Sequence, residues 1–236
     1  MAALADRAVE RSPSVQRSRT RGIRQAREIV EAARRLTRAK GSSFTIQELV
    51  NEAGITLRTF YRYFADKDRL LLAVLEEEIL AEAARTGAAA RRLPDPVARL
   101  RFLITSTLES LHRQDADAPH GRPPDIGPRF VTAEHWRLHQ LFPDEMARIN
   151  QPFADLIERE LHEAAALGLL SPADPAADSW LVMKLVMSVY HRYAFTTARE
   201  SLDDTIERLW VFCRAAFNGV RSAPSSPGAE VGPGRH

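Results

Sequence analysis

The chain has 236 residues, 44% hydrophobic and 27% charged, with one cysteine; this is enough for one large or two modest globular units. Cys213 alone excludes an intramolecular disulfide or a multi-cysteine zinc site within one chain, and the absence of an apolar run of about 18 residues or a signal-like segment predicts a soluble, cytoplasmic protein. The formal net charge of +2 conceals an asymmetry: residues 1–70 hold 15 Lys+Arg against 8 Asp+Glu, a net of +7, and the remainder holds 18 against 23, a net of −5, as expected for a nucleic-acid module joined to a part kept off the phosphates.

In chain order, residues 1–19 are polar and basic, with Arg7, Arg11, Arg17 and Arg19 set among serines and Pro13. They read as a flexible arm, either without fixed structure or adding phosphate and minor-groove contacts, Arg19 and Arg21 foremost. Ile23, Ala26, Ile29, Val30, Ala33 and Leu36 recur with helical period, which predicts a helix from Arg21 to Lys40 that Gly41 ends. Phe44 to Leu70 then compresses three helix starts and a tight turn into a short span. Thr45 and Glu48 have capping-box spacing, with Phe44 and Leu49 as the accompanying staple. Gly54 supplies the turn, Thr56 caps the next helix, and Ile55 and Phe60 repeat the staple.

Two helices joined by about three residues form a helix-turn-helix, whose second helix meets base edges in the major groove. Leu57, Arg58 and Thr59 lie on its first turn facing outward, and Phe60 and Phe64 share the buried face. Arg58 suits bidentate pairing with guanine, whereas Tyr61, Arg62 and Tyr63 carry donors suited to phosphate. Asp66 caps a third helix that starts with Lys67, a cation where the helix dipole favours an anion; a bound phosphate would resolve that conflict. The candidate DNA-binding set is therefore Thr45, Thr56, Leu57, Arg58, Thr59, Tyr61, Arg62, Tyr63 and Lys67.

The stretch AGITLRTFYRYFADKDRLL at residues 53–71 resembles the TetR family of bacterial transcriptional regulators. The turn glycine, the aromatic pair Tyr61 and Phe64, and Lys67 match the family pattern, and the resemblance spans roughly residues 20–75. Tyr63 stands where relatives often carry histidine. The resemblance implies a homodimer formed through the two terminal helices and a small-molecule site in the second domain.

From Lys67 a connecting helix is expected to run toward Arg85, with Gly87 loosening its end. Asp95 and Pro96 start a helix that buries Val97, Leu100, Leu103, Ile104, Leu108 and Leu111 and stops near Arg113. Residues 114–128, with four prolines and two glycines, read as a loop, either a lid or a plain linker. Thr132 opens a short helix with His135, Trp136 and His139 that ends at Pro143. Pro152 starts or kinks a helix reaching Leu167, and Gly168 stops it. Asp174 and Pro175 cap a helix apolar around most of its circumference, from Trp180 to His191. The last helix begins near Leu202 and presents Ile206, Leu209, Trp210, Phe212, Cys213, Ala216 and Phe217 before Gly219. Two such helices fit either cover from beyond their own domain, which a second subunit would supply, or a core closed entirely within the chain. Residues 221–236, rich in Ser, Pro and Gly, read as disordered.

No catalytic motif is present. His162 and Glu163 lack the second histidine of a zinc helix, and neither a nucleophile elbow nor a phosphate-cradling glycine loop occurs. His135 and His139, four apart, have no identifiable third metal ligand, so no metal or cofactor is expected. Trp136, His139, Met183, Met187, Tyr190 and His191 are candidates for a ligand pocket; the same spacing also suits plain core.

The expected protein is all-α: an arm over 1–19, a three-helix DNA-binding domain over 20–66, a connecting helix over 67–85, a larger helical ligand-binding and dimerisation domain over 86–220, and a tail over 221–236. The expected function is a sequence-specific regulator, a homodimeric repressor of a palindromic operator in double-stranded DNA, released by a small apolar or amphipathic ligand and without enzymatic activity. The alternative is a DNA-binding protein whose second domain recruits another protein, with no inducer.

Overall fold

The computed structural model describes residues 13–116, 128–195 and 200–218, which hold nine α-helices, a single 3-10 turn at Gly41–Ser43 and no strand. Residues 1–12 of the expected arm, 117–127 of the expected loop and the expected tail lie outside the described residues.

The first helix, α1 (Pro13–Lys40), begins well before the expected Arg21. Residues 15–20 are exposed throughout and contribute no apolar face; proline suits the first helical position, and adding a turn costs far less than nucleating one. Arg17, Arg19 and Arg21 are therefore held at helical spacing on α1. Ile29, Val30, Ala32 and Ala33 are buried, while Ile23, expected on the same apolar face, is 47% exposed.

Helices α2 (Ile46–Glu52) and α3 (Leu57–Tyr63) follow, then α4 (Lys67–Ala90). Gly87 was expected to loosen the end of this last helix, but it lies inside it, buried, where a Cβ would come within 2.9 Å of Leu156 Cδ2. It marks the close approach of α4 to α7 (Pro143–Ala166). Helix α5 (Pro96–Ala116) begins as expected, with Asp95 Oδ1 accepting from the Ala98 amide at 2.9 Å, and runs three residues past Arg113. Helix α6 spans Pro128–Leu141, α8 Pro175–Phe195 and α9 Leu202–Phe217. Pro143 opens α7 at its first turn, and Pro152, expected to start or kink this helix, lies within it.

Two apolar cores result. The first gathers Ile29 and Ala33 of α1, Leu49 of α2, Phe60 of α3 and Leu70 to Leu75 of α4, together with Leu138 of α6 and Met146 and Ile149 of α7. The second gathers Ala90 at the far end of α4 with α5, the later half of α7, α8 and α9. Helix α4 thus runs from one core into the other, and α6 and α7 reach back into the first. Where α5 meets α7, the buried Glu160 carboxylate is held by Arg99 at 2.6 Å and Arg159 at 2.7 Å, so the charge is paired on both sides.

Candidate nucleic-acid interface and pocket

Local chemistry builds the reading head. Thr45 accepts from the Glu48 amide at 3.1 Å and the Thr45 amide donates to Glu48 Oε2 at 2.8 Å, completing the capping box. Lys40 sits 2.5 Å from the same carboxylate, and that hydrogen bond, together with the Thr45 amide, pulls the Glu48 pKa down to about 2. Gly54 turns the chain with a φ of 63°, a region open to glycine without steric cost. Thr56 caps α3 by accepting from the Thr59 amide at 3.1 Å. Phe60 is buried and stacks on Phe64 with ring centroids 6.0 Å apart, which turns the opposite side of α3 outward.

On that side Leu57 is 44% and Tyr61 55% exposed. Arg58 is exposed and its guanidinium has no partner among the described residues. Thr59 is half-buried, its hydroxyl 3.0 Å from that of Thr56. Arg62 donates to Gln25 Oε1 of α1 at 3.3 Å and lies over the Tyr63 ring, while Tyr63 packs near Gly22. Lys67 differs from the phosphate-facing role expected of it. Its ammonium turns back to the carbonyls of Ser42 and Phe44 and lies 4.4 Å from the Phe44 ring centroid. The conflict with the helix dipole is relieved within the chain, since Asp66 caps α4 by accepting from the Arg69 amide at 2.8 Å and Asp68 places an anion in the first turn. Burial pushes the Lys67 pKa down.

A second site lies between α6 and α8. A cavity of about 390 Å³ is lined on α6 by His135, Trp136 and His139, and on α8 by Lys184, Met187, Ser188, His191 and Arg192. His135 Nε2 hydrogen-bonds the Asn150 side-chain amide at 3.2 Å, and burial pushes its pKa down to about 4. Its ring stacks nearly parallel on His139, 6.3 Å between centroids. Trp136 meets His191 edge-on at 6.3 Å. Of the six expected ligand residues the cavity unites Trp136, His139, Met187 and His191. Met183 packs on the second core, and Tyr190 is buried in it; burial lifts the Tyr190 pKa to about 12.

The face of α6 away from the cavity docks on the reading head. Leu138 is fully buried in the first core. Arg137 pairs with Asp68 at 2.9 Å and Glu134 at 2.8 Å, and Arg69 pairs with Glu145 of α7 at 2.9 Å.

Residues 29–74, spanning α1 to the start of α4, match the family model described as bacterial regulatory proteins, tetR family. This stretch is a TetR-family regulatory domain. Among solved structures, a Thermus thermophilus FadR described as a transcriptional repressor in complex with lauroyl-CoA shares 20% identity, with 86% of this chain and 100% of that one covered at a TM-score of 0.62. RolR in complex with resorcinol shares 15% identity over 82% and 89%, with a TM-score of 0.60. AibR in complex with isovaleryl coenzyme A and operator DNA shares 19% identity over 83% and 100%, with a TM-score of 0.52. At these identities the likeness is one of fold. No curated protein matches the chain. It is a DNA-binding transcriptional regulator, and among its described residues no helix is long and apolar enough to cross a membrane.

Within this TetR-family fold, the sequence reading missed His135 as a pocket residue, and with it Lys184, Ser188 and Arg192. The available signal was the polar stripe 184–188–191–192 on an otherwise apolar helix. The Arg137–Asp68 link was missed as well; its two partners are far apart in sequence and carry no local signature.

Proposed function

We propose that this regulator is a cytoplasmic homodimeric repressor that binds a roughly palindromic operator and is released by a small ligand with an apolar or amphipathic body; the reading involves no catalytic step. The observation that carries it is the two-sided α6 helix: one face lines a cavity, and the other is ion-paired to the first turn of α4, next to the reading head. A ligand that binds the cavity better in one arrangement of α6 shifts the heads only by its differential affinity, and DNA must disfavour that ligand by the same factor. The small molecules named with the solved neighbours, acyl-coenzyme A thioesters and resorcinol, support a ligand-responsive reading here.

On the DNA side, Leu57, Arg58 and Thr59 would read bases. Thr45, Thr56, Tyr61, Arg62 and Tyr63 would set position against phosphate, with Lys67 contributing its remaining N–H. Dimerisation would use α8 and α9, whose Trp180, Leu181, Val211 and Phe212 are more than half exposed in the single chain.

Enrichment of bound duplexes from a random pool, at about physiological salt where non-specific binding is suppressed, tests this reading. An inverted repeat is expected, and adding candidate ligands to that duplex then scores release. Retention of DNA without any enriched sequence would sink the operator reading. An inverted repeat that no small molecule releases would favour the recruiting alternative.

A further inference from the structure

Resting on the reading of the α6–α8 cavity as the effector site, we propose that this cavity takes a compact, flat aromatic ring system and selects it over a saturated or straight-chain body of the same size. The walls are built of rings. His135, Trp136 and His139 of α6 and His191 of α8 are four of the eight lining residues, and no Val, Leu or Ile is among them. The two helices sort their side chains accordingly: α6 puts Leu138 into the first core and α8 puts Val182 and Val186 into the second, while these rings line the cavity. A volume of about 390 Å³ lies near the low end of the roughly 300–1,000 Å³ of small-molecule sites, which suits a compact body better than an extended one.

The rings are also set in an order that one more ring can continue. Trp136 meets His191 edge-on from the opposite wall, 6.3 Å between centroids and 72° between planes, and His191 lies 5.1 Å from Phe195 one turn further on. On α6, His135 and His139 stack within 3° of parallel. Asn150, which also donates to the Met146 carbonyl at 2.8 Å, holds the His135 ring at 3.2 Å. Edge-to-face and offset contacts with such rings favour an aromatic partner beyond what its buried area supplies. A saturated body of the same outline has no ring quadrupole and forgoes that gain, whereas the Met187 thioether favours ring edges. Trp136 is 58% exposed, so much of its indole is open to a ligand. Burial keeps His135 neutral, and a ring can lie against it without desolvating a charge.

The test uses the full chain and three alcohols with equal numbers of carbon atoms: 2-naphthalenemethanol, its saturated analogue decahydro-2-naphthalenemethanol, and straight-chain 1-undecanol, each followed by equilibrium dialysis. All three are uncharged and carry the same hydroxyl, so they differ only in the body. Burial of apolar area alone would rank the saturated alcohols level with the aromatic one or above it. The aromatic alcohol is instead expected to bind about fivefold or more tighter than either, as two ring contacts imply. Trp136→Leu and His191→Leu, both at exposed positions, each remove one ring and should each narrow that ratio. Together they should bring it to within about twofold.

A saturated or straight-chain alcohol that binds as tightly as the aromatic one, an aromatic preference that survives both substitutions, or no binding by any of the three overturns the proposal. Release of the enriched duplex, measured alongside, separates the two levels. Aromatic-selective binding without release keeps the ring site and defeats the effector reading. Release by a saturated alcohol at equal or lower concentration keeps the effector reading and defeats the ring selection.

Discussion

Arg58 and Lys67 are both cations of the reading head, and the structure assigns them different work. Arg58 is exposed and unpartnered among the described residues, so its loss should alter what is bound rather than whether the protein folds. Arg58→Ala is expected to cost about 1–3 kcal/mol at one or two base pairs of the enriched site and to relax specificity there; equal loss on every sequence would reassign it to phosphate. Lys67→Met removes the donor from two carbonyls, Ser42 and Phe44. Its main effect should be on stability, about 1–3 kcal/mol in denaturant unfolding, because the acceptors are left unsatisfied. Unchanged stability with a salt slope of DNA binding reduced by about one unit would make the ammonium a phosphate contact instead.

His135 gives a pH signature. Its folded pKa, about 4, lies below the ordinary 6.5 because burial penalises the imidazolium. Between these values the unfolded chain binds the extra proton, so stability is unaffected above about pH 6.5 and falls as pH drops toward 4. His135→Gln, which keeps an amide facing Asn150, should flatten that portion of the stability curve. At pH 5 the native chain should have lost on the order of 2 kcal/mol relative to pH 7 from this group. Denaturant melts of both proteins at pH 7 and 5 check it; parallel losses would show that the imidazole titrates as in water.

At the scale of elements, α6 is the one to perturb. Arg137 bridges Glu134 on its own helix and Asp68 on α4, joining the pocket wall to the first turn after the reading head. Arg137→Met keeps the aliphatic stem and removes the bridge. It should leave operator affinity without ligand within about threefold and reduce the ligand-induced loss of affinity, the coupling being of the usual 1–3 kcal/mol. An undiminished ligand effect would route the coupling elsewhere, through Leu138 and Met146 in the shared core.

This division also marks what the sequence made legible. Thr45 with Glu48, Gly54, and Thr56 with its Ile55 and Phe60 staple are local signals, each decided within a few residues, and the structure has the two helices they predict. Lys67 was not readable in the same way, because its partners lie 23 and 25 residues earlier and only tertiary packing brings them together. Pro143 and Pro152 illustrate a second ambiguity: proline fits the first helical position, yet it also occurs inside helices at a cost, and spacing alone did not separate the two cases. On α8, apolar periodicity nominated Met183 and Tyr190, which the core took, while the cavity drew on the polar positions between them.

For the whole molecule, the question is what covers α8 and α9. Trp180, Leu181 and Leu185 on α8, and Val211 and Phe212 on α9, are 36–63% exposed, and large apolar patches of this kind mark interfaces. An isologous pairing uses the same patch on both subunits, so ten large side chains would contribute, each gaining a share of the roughly 1.5–3 kcal/mol of full burial. That gain must exceed an association cost of about 4–15 kcal/mol, which a patch used twice can meet and two or three scattered residues cannot. A two-fold axis through α8 and α9 would hold two α3 helices at a fixed separation, as successive major-groove half-sites require, about 34 Å apart or a multiple of that. Leu181→Glu with Phe212→Glu should therefore yield a folded monomer in sedimentation at micromolar concentration. Its affinity for the inverted repeat should fall to that of an isolated half-site, while its thermal unfolding, extrapolated to the monomer, changes little because both positions are exposed in the single chain. A double variant that sediments like the native dimer would remove this face from the dimer interface; a native chain that is itself monomeric would leave the face for a different protein, as the recruiting alternative requires.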